Sequence, residues 1–298
     1  MRISSPVVLA LLCVVVWSFI PVVSRVGQLN IDSFQFLFWT NLFSTVAVGL
    51  TINLKKCTLI SVVKNTNYKF TMVLGFLGCF FYYLCLYYGY AHANSIEVLV
   101  VQYTWPALTA IIATILLNEK FNLSKLLSIF IGLMATLLVI TKGDFSNVDF
   151  SDSAVLSIVF IGAISFALFS AISKKERRYD VSFSIFMYFF WASIFSLIAL
   201  LVWSELLIPD TRSLFVIGIN GVIINGLSYI LWINALSKAE ASKIAPLVYI
   251  SPVLSVIWVT LFFQEDFTLI YSIAVVLAIF SGLLVVRQDV NKVKSNNT

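Results

Sequence analysis

Charge is scarce in this chain. Asp, Glu, Lys and Arg make up 11% of its 298 residues, while hydrophobic residues make up 60%. Soluble domains are nearer a quarter charged and half apolar, and one of this size has no way to keep so much apolar surface from water. Histidine occurs once, as His92, and the four cysteines, Cys13, Cys57, Cys79 and Cys85, show no CxxC spacing. The cysteines read as packing residues rather than disulfide or metal partners. HExxH, GxSxG and Walker motifs are missing, so neither hydrolytic chemistry nor ATP-driven work has its usual residues. We expect no enzyme, no cofactor and no metal.

What is present is a series of apolar windows. Ten candidate helices run over about 6–24, 33–54, 70–90, 95–117, 123–141, 153–173, 182–204, 213–235, 241–263 and 268–286. Each is near the roughly 20 residues that cross a bilayer core. The first stretch, Pro6 to Ser24, lacks a small-x-small cleavage site and reads as an uncleaved span. The fold class expected is all-α integral membrane, and the lipid bilayer is one partner.

The basic residues give the orientation. With the N-terminus on one side, that side carries Arg2, Lys55, Lys56, Lys64, Lys69, Lys120, Lys125, Lys174, Lys175, Arg177, Arg178, Lys238, Lys243, Arg287, Lys292 and Lys294. The other side carries only Arg25, Lys142 and Arg212. By the positive-inside rule both termini are cytoplasmic, in an inner (plasma) membrane protein. The net charge of +5 orients the chain and meets anionic headgroups. No nucleic-acid module accompanies it.

The chain also repeats itself. Pro106 and Glu119 recur as Pro252 and Glu265, and Gly75, Tyr83 and Tyr103 recur as Gly221, Tyr229 and Tyr249, always 146 positions on. Five spans per half is odd, so residues 149–298 form an inverted copy of residues 1–148. Inverted repeats broken near mid-bilayer are a common plan of secondary transporters, with the substrate at the repeat interface.

Candidate site residues follow. Pro106 and Pro252, expected inside their helices, cannot donate to the carbonyls of Gln102 and Val248 and so free them for a polar path. Trp17, Tyr83, Tyr87, Tyr103 and Trp105 are aromatic residues expected near mid-depth, with Tyr83 and Tyr87 on one helix face. They are candidates to stack on a planar ligand or hold a cation over a ring. Asn225, Tyr249 and Ser251 are further candidates, the last beside Pro252. Glu97 and His92, toward the outer face, are candidates for coupling. Glu119 and Glu265 read as anchors of helix ends. Ordinary packing is the alternative for each aromatic and proline.

The pieces GYA at 89–91, IEV at 96–98, Tyr103-Thr-Trp-Pro106, Leu108-Thr109 and Asn118-Glu119 resemble the EamA family of the drug/metabolite transporter superfamily. VVWS at 15–18 and SPVLS at 251–255 add to the likeness. Within that family the chain looks most like the bacterial aromatic amino acid exporter group. The resemblance implies ten helices in two inverted five-helix repeats, an aromatic central cavity, and export of amino acids and related metabolites. It places Trp17, Tyr103 and Trp105 in that cavity. Phe166 is a departure, since tryptophan is the familiar residue at its depth; it keeps a flat wall and loses an N–H donor.

Three readings stay open. The first is a monomeric exporter of aromatic or other neutral amino acids. The second is an exchanger of a nucleotide-linked or S-adenosyl compound. The third is a membrane scaffold or subunit with no transport of its own, tightly packed around Trp17 and Trp105.

Overall fold

Asp and Asn residues in the polar connections start helices by capping them. In the computed structural model, which describes residues 5–52, 56–93, 98, 101–119, 122–141, 143–144, 146, 152–175, 180–263, 269–274, 276–281 and 284, every assigned element is helical. Asp32 accepts from the amides of Phe34 and Gln35 and starts α3 (Ser33–Leu50). Asn67 starts α5 (Tyr68–Leu74), Asp152 starts α9 (Ser153–Ser173) and Asp180 starts α10 (Val181–Trp203). Asp210 starts α11 (Thr211–Ile219). The Ser213 amide, with Asn30, holds the exposed Asp210 carboxyl down to about 2. Side-chain oxygens at such positions satisfy amides that the helix leaves unpaired.

Proline punctuates the helices elsewhere. The first apolar stretch divides into α1 (Ser5–Trp17) and α2 (Ile20–Gly27), with Pro21 in the first turn of α2. The sequence predicts one continuous helix here, and a turn at Ser18 and Phe19 divides it instead. Similarly, α7 (Trp105–Leu117) starts with Pro106 as its second residue. The segment 241–263 divides into α13 (Ala241–Ile244), a 3₁₀ turn (Ala245–Tyr249) and α14 (Ile250–Phe263). Pro106 and Pro252 therefore stand in first turns rather than inside continuous helices. An amide missing there leaves no helix carbonyl bereft. The remaining elements are α4 (Lys56–Asn65), α6 (Tyr82–His92), α8 (Leu123–Thr141), α12 (Ser228–Lys238) and α15 (Leu269–Ser281).

Two π-helical turns were not foreseen. One, Gly75–Phe81, joins α5 to α6; the other, Asn220–Leu227, joins α11 to α12. They match at the repeat offset to within one residue, Gly75 corresponding to Gly221 and Phe81 to Leu227. Each brings a glycine against the other half of the chain. A Cβ at Gly75 would stand 2.5 Å from the Tyr188 carbonyl oxygen, and one at Gly221 would stand 2.7 Å from that of Thr40. Thus the first π turn packs on α10 and the second on α3, while α3 and α10 pack on each other. Ser44 Oγ donates to the Gly221 carbonyl at 2.8 Å, and Thr45 Oγ1 lies 3.0 Å from Ser193 Oγ. Likewise α1 lies on α12, and α9 lies on α6 and α7. The halves are interleaved, and their shared core lies between them.

Among the described residues, five helical stretches are long and apolar enough to cross a membrane: Ser5–Ser24, Tyr68–Gly89, Ser153–Ser173, Val181–Trp203 and Thr211–Lys238. Trp105–Leu117, Leu123–Leu138 and Leu269–Ser281 are shorter apolar helices. Leu50, Ile115 and Ile208 are among many large apolar side chains left exposed, as suits a lipid-facing surface rather than an aqueous one.

Candidate functional site

The broken helices meet at a small cavity. Trp17, Ile20, Tyr82, Tyr83, Gln102, Tyr103, Trp105, Phe166, Val248 and Ser251 enclose about 30 Å³, room for one or two waters. Trp17 ends α1, Ile20 begins α2, Trp105 begins α7 and Ser251 is the second residue of α14. Backbone breaks at membrane depth are tolerated where they line such a space.

The wall is aromatic and packed edge to face. Trp17 lies 6.1 Å from Trp105 and from Phe166, ring centre to ring centre. Phe166 lies 4.7 Å from Trp105 and 4.6 Å from Tyr82. This arrangement sets positive ring edges against negative faces. Behind the wall Trp232 approaches Trp17 to 5.2 Å, and Tyr229 packs on Phe166.

Hydrogen bonds fix several of these rings. Trp17 Nε1 donates to Ser228 Oγ at 2.8 Å, and Ser228 Oγ donates in turn to the Ile224 carbonyl. Trp232 Nε1 donates to Ser170 Oγ at 3.4 Å. Tyr83 donates to Asn225 Oδ1 at 3.2 Å, and Tyr229 donates to the Gly78 carbonyl and approaches Tyr83 Oη at 3.3 Å. The two tyrosines that the repeat relates thus touch one another. Gln102 Nε2 donates to Tyr82 Oη at 2.9 Å.

Seven of the residues singled out from sequence line the cavity: Trp17, Tyr83, Gln102, Tyr103, Trp105, Phe166 and Ser251. Five do not. Tyr87 is one turn beyond Tyr83 and packs against Phe36 at 5.6 Å. Asn225 stands behind Tyr83 as its acceptor. Tyr249 turns its ring toward Gly132. Pro106 and Pro252 are buried behind their first turns. His92 is exposed, stacked on Tyr88 at 4.1 Å and bonded to the Tyr88 carbonyl. Glu97 and Glu265 lie outside the described residues. Ile20 and Tyr82 join the lining without a sequence signal of their own, as does the side chain of Val248, whose carbonyl alone the proline pattern marks. The repeat could have found two of them, because Ile20 corresponds to Phe166 and Val248 to Gln102.

A second polar cluster closes one end of the bundle. Glu119, after α7, accepts from Lys174 Nζ at 2.7 Å, the Ala241 amide at 2.8 Å, the Ser242 amide at 2.9 Å and Ser242 Oγ at 2.7 Å. It therefore caps the start of α13 from across the molecule, where Glu240 makes no side-chain cap. Burial alone would raise the Glu119 carboxyl, but hydrogen bonds from Lys174, Ser242 and Ala241 outweigh it and hold the carboxyl below its ordinary 4.5. Beside it Lys125 Nζ reaches Glu240 Oε2 at 2.7 Å and Ser242 Oγ at 2.5 Å. Lys174 also donates to the Ala239 carbonyl at 2.6 Å, so carboxylates and cations are satisfied together.

Among the described residues no group of three or more His, Cys, Asp or Glu side chains is placed to hold a metal ion. The arrangement can surround an aromatic or uncharged solute with rings, and can offer a few neutral hydrogen-bonding groups.

Interleaved apolar helices, broken around a central cavity, define a polytopic membrane protein built on the plan of secondary transporters. The EamA-like transporter family model matches residues 4–141 and 153–287; the chain belongs to that family. It is 26% identical over 204 residues to the uncharacterized transporter YoaV of Bacillus subtilis, a match covering 66% of each chain, just under two thirds. It is 28% identical over 249 residues to an S-adenosylmethionine uptake transporter of Rickettsia conorii, covering 82% of this chain and 79% of that protein. A solved crystal structure superposes with a TM-score of 0.81 at 15% identity, covering 95% of this chain and 96% of the other. That likeness shows a shared fold.

Proposed function

We propose that this protein is a secondary carrier of the inner (plasma) membrane that exports aromatic or other neutral amino acids and related small metabolites. The observation that carries this reading is the chemistry of the cavity. Its lining is dominated by rings, contains no Asp, Glu, Lys, Arg or His among the described residues, and is built where helices begin and end. An amino acid is neutral overall, and an aromatic one adds a face to stack on Trp17, Trp105 or Phe166.

The cavity holds only about 30 Å³, which is too little for an amino acid. The solute therefore enters when one bundle moves against the other and the space widens to one side, which is alternating access. The topology we adopt is ten spans in two inverted repeats, 1–148 and 149–298, with both termini cytoplasmic and the carrier acting as a monomer. Its support is the sixteen-to-three division of basic residues and the repeat-related breaks and π turns. On this topology the Glu119 cluster faces the cytoplasm.

The test is flux. Purified protein in liposomes loaded with labelled Phe, Trp or Thr should release at least one of them faster than empty liposomes do. No protein-dependent flux of any of the three sinks the amino acid reading.

A second reading takes an S-adenosyl compound as cargo. The matches to S-adenosylmethionine uptake transporters favour it, and a ring-rich cavity accepts a sulfonium over a ring face and an adenine against a wall. Counterflow decides between the two: external S-adenosylmethionine should accelerate release of the internal labelled compound under this reading alone.

A further inference from the structure

Three half-helices begin at the cavity. α2 begins at Ile20 with Pro21 next, α7 begins at Trp105 with Pro106 next, and α14 begins at Ile250 with Ser251 and Pro252 next. Ile20, Trp105 and Ser251 all line the same space. The start of α14 continues the 3₁₀ turn, and its Ile250 amide donates to the carbonyls of Leu247 and Val248. α2 and α7 turn their amino-terminal ends toward the space, and such an end carries partial positive charge and amides without helical partners.

These starts differ from those in the polar connections. Asp32, Asn67, Asp152, Asp180 and Asp210 cap their helices with side-chain oxygens. No side chain caps α2 or α7. A buried helix end left without a protein acceptor is a place for a bound one.

Trp105 points independently to a ligand. Trp17 and Trp232 spend their indole N–H groups on Ser228 and Ser170. Trp105 Nε1 has no hydrogen-bond partner among the described residues, although the ring is only 3% exposed, and it is not among the polar atoms sealed off by protein. Its donor therefore opens on the cavity. Tyr82 Oη, which accepts from Gln102, adds a second neutral donor in the same lining. Among the described residues the lining offers no Lys or Arg as a counter-charge.

From these facts we infer that the Trp105 indole N–H and the converging starts of α2 and α7 form a carboxylate subsite. It holds the acid end of an amino-acid-type solute, while the aromatic wall holds the rest. Dipoles and neutral donors attract an anion less firmly than an ion pair does, which suits a site that must also release its load. The inference rests on the carrier reading above and names which end of the solute lies where. It holds for either cargo considered, since an amino acid and S-adenosylmethionine both carry a free carboxylate.

Binding to the purified full chain tests it, with L-tryptophan against tryptamine and S-adenosylmethionine against its decarboxylated form. Loss of the carboxylate should weaken binding about tenfold or more, the scale of a hydrogen bond to a charged group. Trp105→Phe keeps the ring and removes the donor. It should weaken the carboxylate-bearing ligand by about tenfold and change the amine by about twofold at most. Equal affinity for the two members of a pair overturns the subsite while leaving the carrier reading intact. So does a Trp105→Phe loss that is the same for both. If neither carboxylate-bearing probe binds, the carrier reading itself falls and the subsite with it. Should Trp105→Phe fail to fold, the wild-type ligand pairs decide alone.

Discussion

At three repeat-related pairs of positions, the two halves of the chain line the cavity with different side chains. Ile20 and Phe166, Gln102 and Val248, and Trp105 and Ser251 are pairs at the repeat offset, and all six line the space. Trp17 corresponds to Ala163, and Tyr82 to Ser228. One half therefore brings a tryptophan or tyrosine where the other brings a small residue. The break in the first apolar helix is just as one-sided: Pro21 parts α1 from α2, while at the corresponding Ala167 α9 runs on unbroken. Away from the cavity the paired π turns keep the repeat offset, and the cavity lining departs from it.

The sharpest way to break this comparison is to exchange large for small. Trp105→Ala should lower stability by about 3–5 kcal/mol, the usual cost of emptying a buried indole's place, and should abolish flux. Its counterpart Ser251→Ala should stay within about 1 kcal/mol. Chemical denaturation in detergent, with liposome flux alongside, reads both. Comparable losses at the two positions would mean that the cavity walls are equivalent after all.

Next is the closed end. Glu119→Gln leaves the half-buried Lys174 without its counter-charge and should lower stability by about 2 kcal/mol. The carboxyl's folded pKa lies below its ordinary 4.5. Its stabilisation is therefore complete above that value and drains away as pH falls through the lower, folded one. Melting temperature against pH should fall in the acid range for wild type and more weakly for Glu119→Gln. Parallel curves would remove the carboxylate from the account.

The paired π turns can be probed with smaller changes. Gly75→Ala and Gly221→Ala each drive a methyl against a carbonyl oxygen of the other half, at 2.5 and 2.7 Å. Each should lower stability by about 1–3 kcal/mol, and by similar amounts. A wide difference in melting temperature between the two variants would show that the π turns are not equivalent supports. The smallest effect belongs to the central tyrosines. Tyr83→Phe removes one hydrogen bond to Asn225 and should lower stability by about 1 kcal/mol. A larger loss would mean that the Asn225 amide, left buried without its partner, dominates.

Much of this was readable in the chain. Capping residues such as Asp32 and Asp180 announce helix starts by local chemistry, and prolines 106 and 252 mark breaks because a ring without an N–H has few other places in a helix. The misses have physical causes. Tyr87 shares a helix face with Tyr83, as its spacing says, but depth along the axis decides what a residue touches, and there Phe36 covers it. Tyr249 sits in a 3₁₀ turn that rotates it toward Gly132. No propensity separates a π turn from an α-helix, since the wider winding follows from what the helix packs against.

Composition and pattern by themselves determined that this chain is a bundle of apolar helices, started at capping residues and broken at prolines. Each of these follows from local chemistry: transfer of side chains out of water, an acceptor for unpaired amides, and a missing amide. Only the tertiary structure decided which residues of the two halves meet. Interleaving brings Trp17 to Ser228, Tyr83 to Tyr229 and Glu119 to the start of α13, over more than a hundred residues of sequence. Such pairings depend on how helices from opposite halves pack, and that is a property of the assembled bundle rather than of any segment within it.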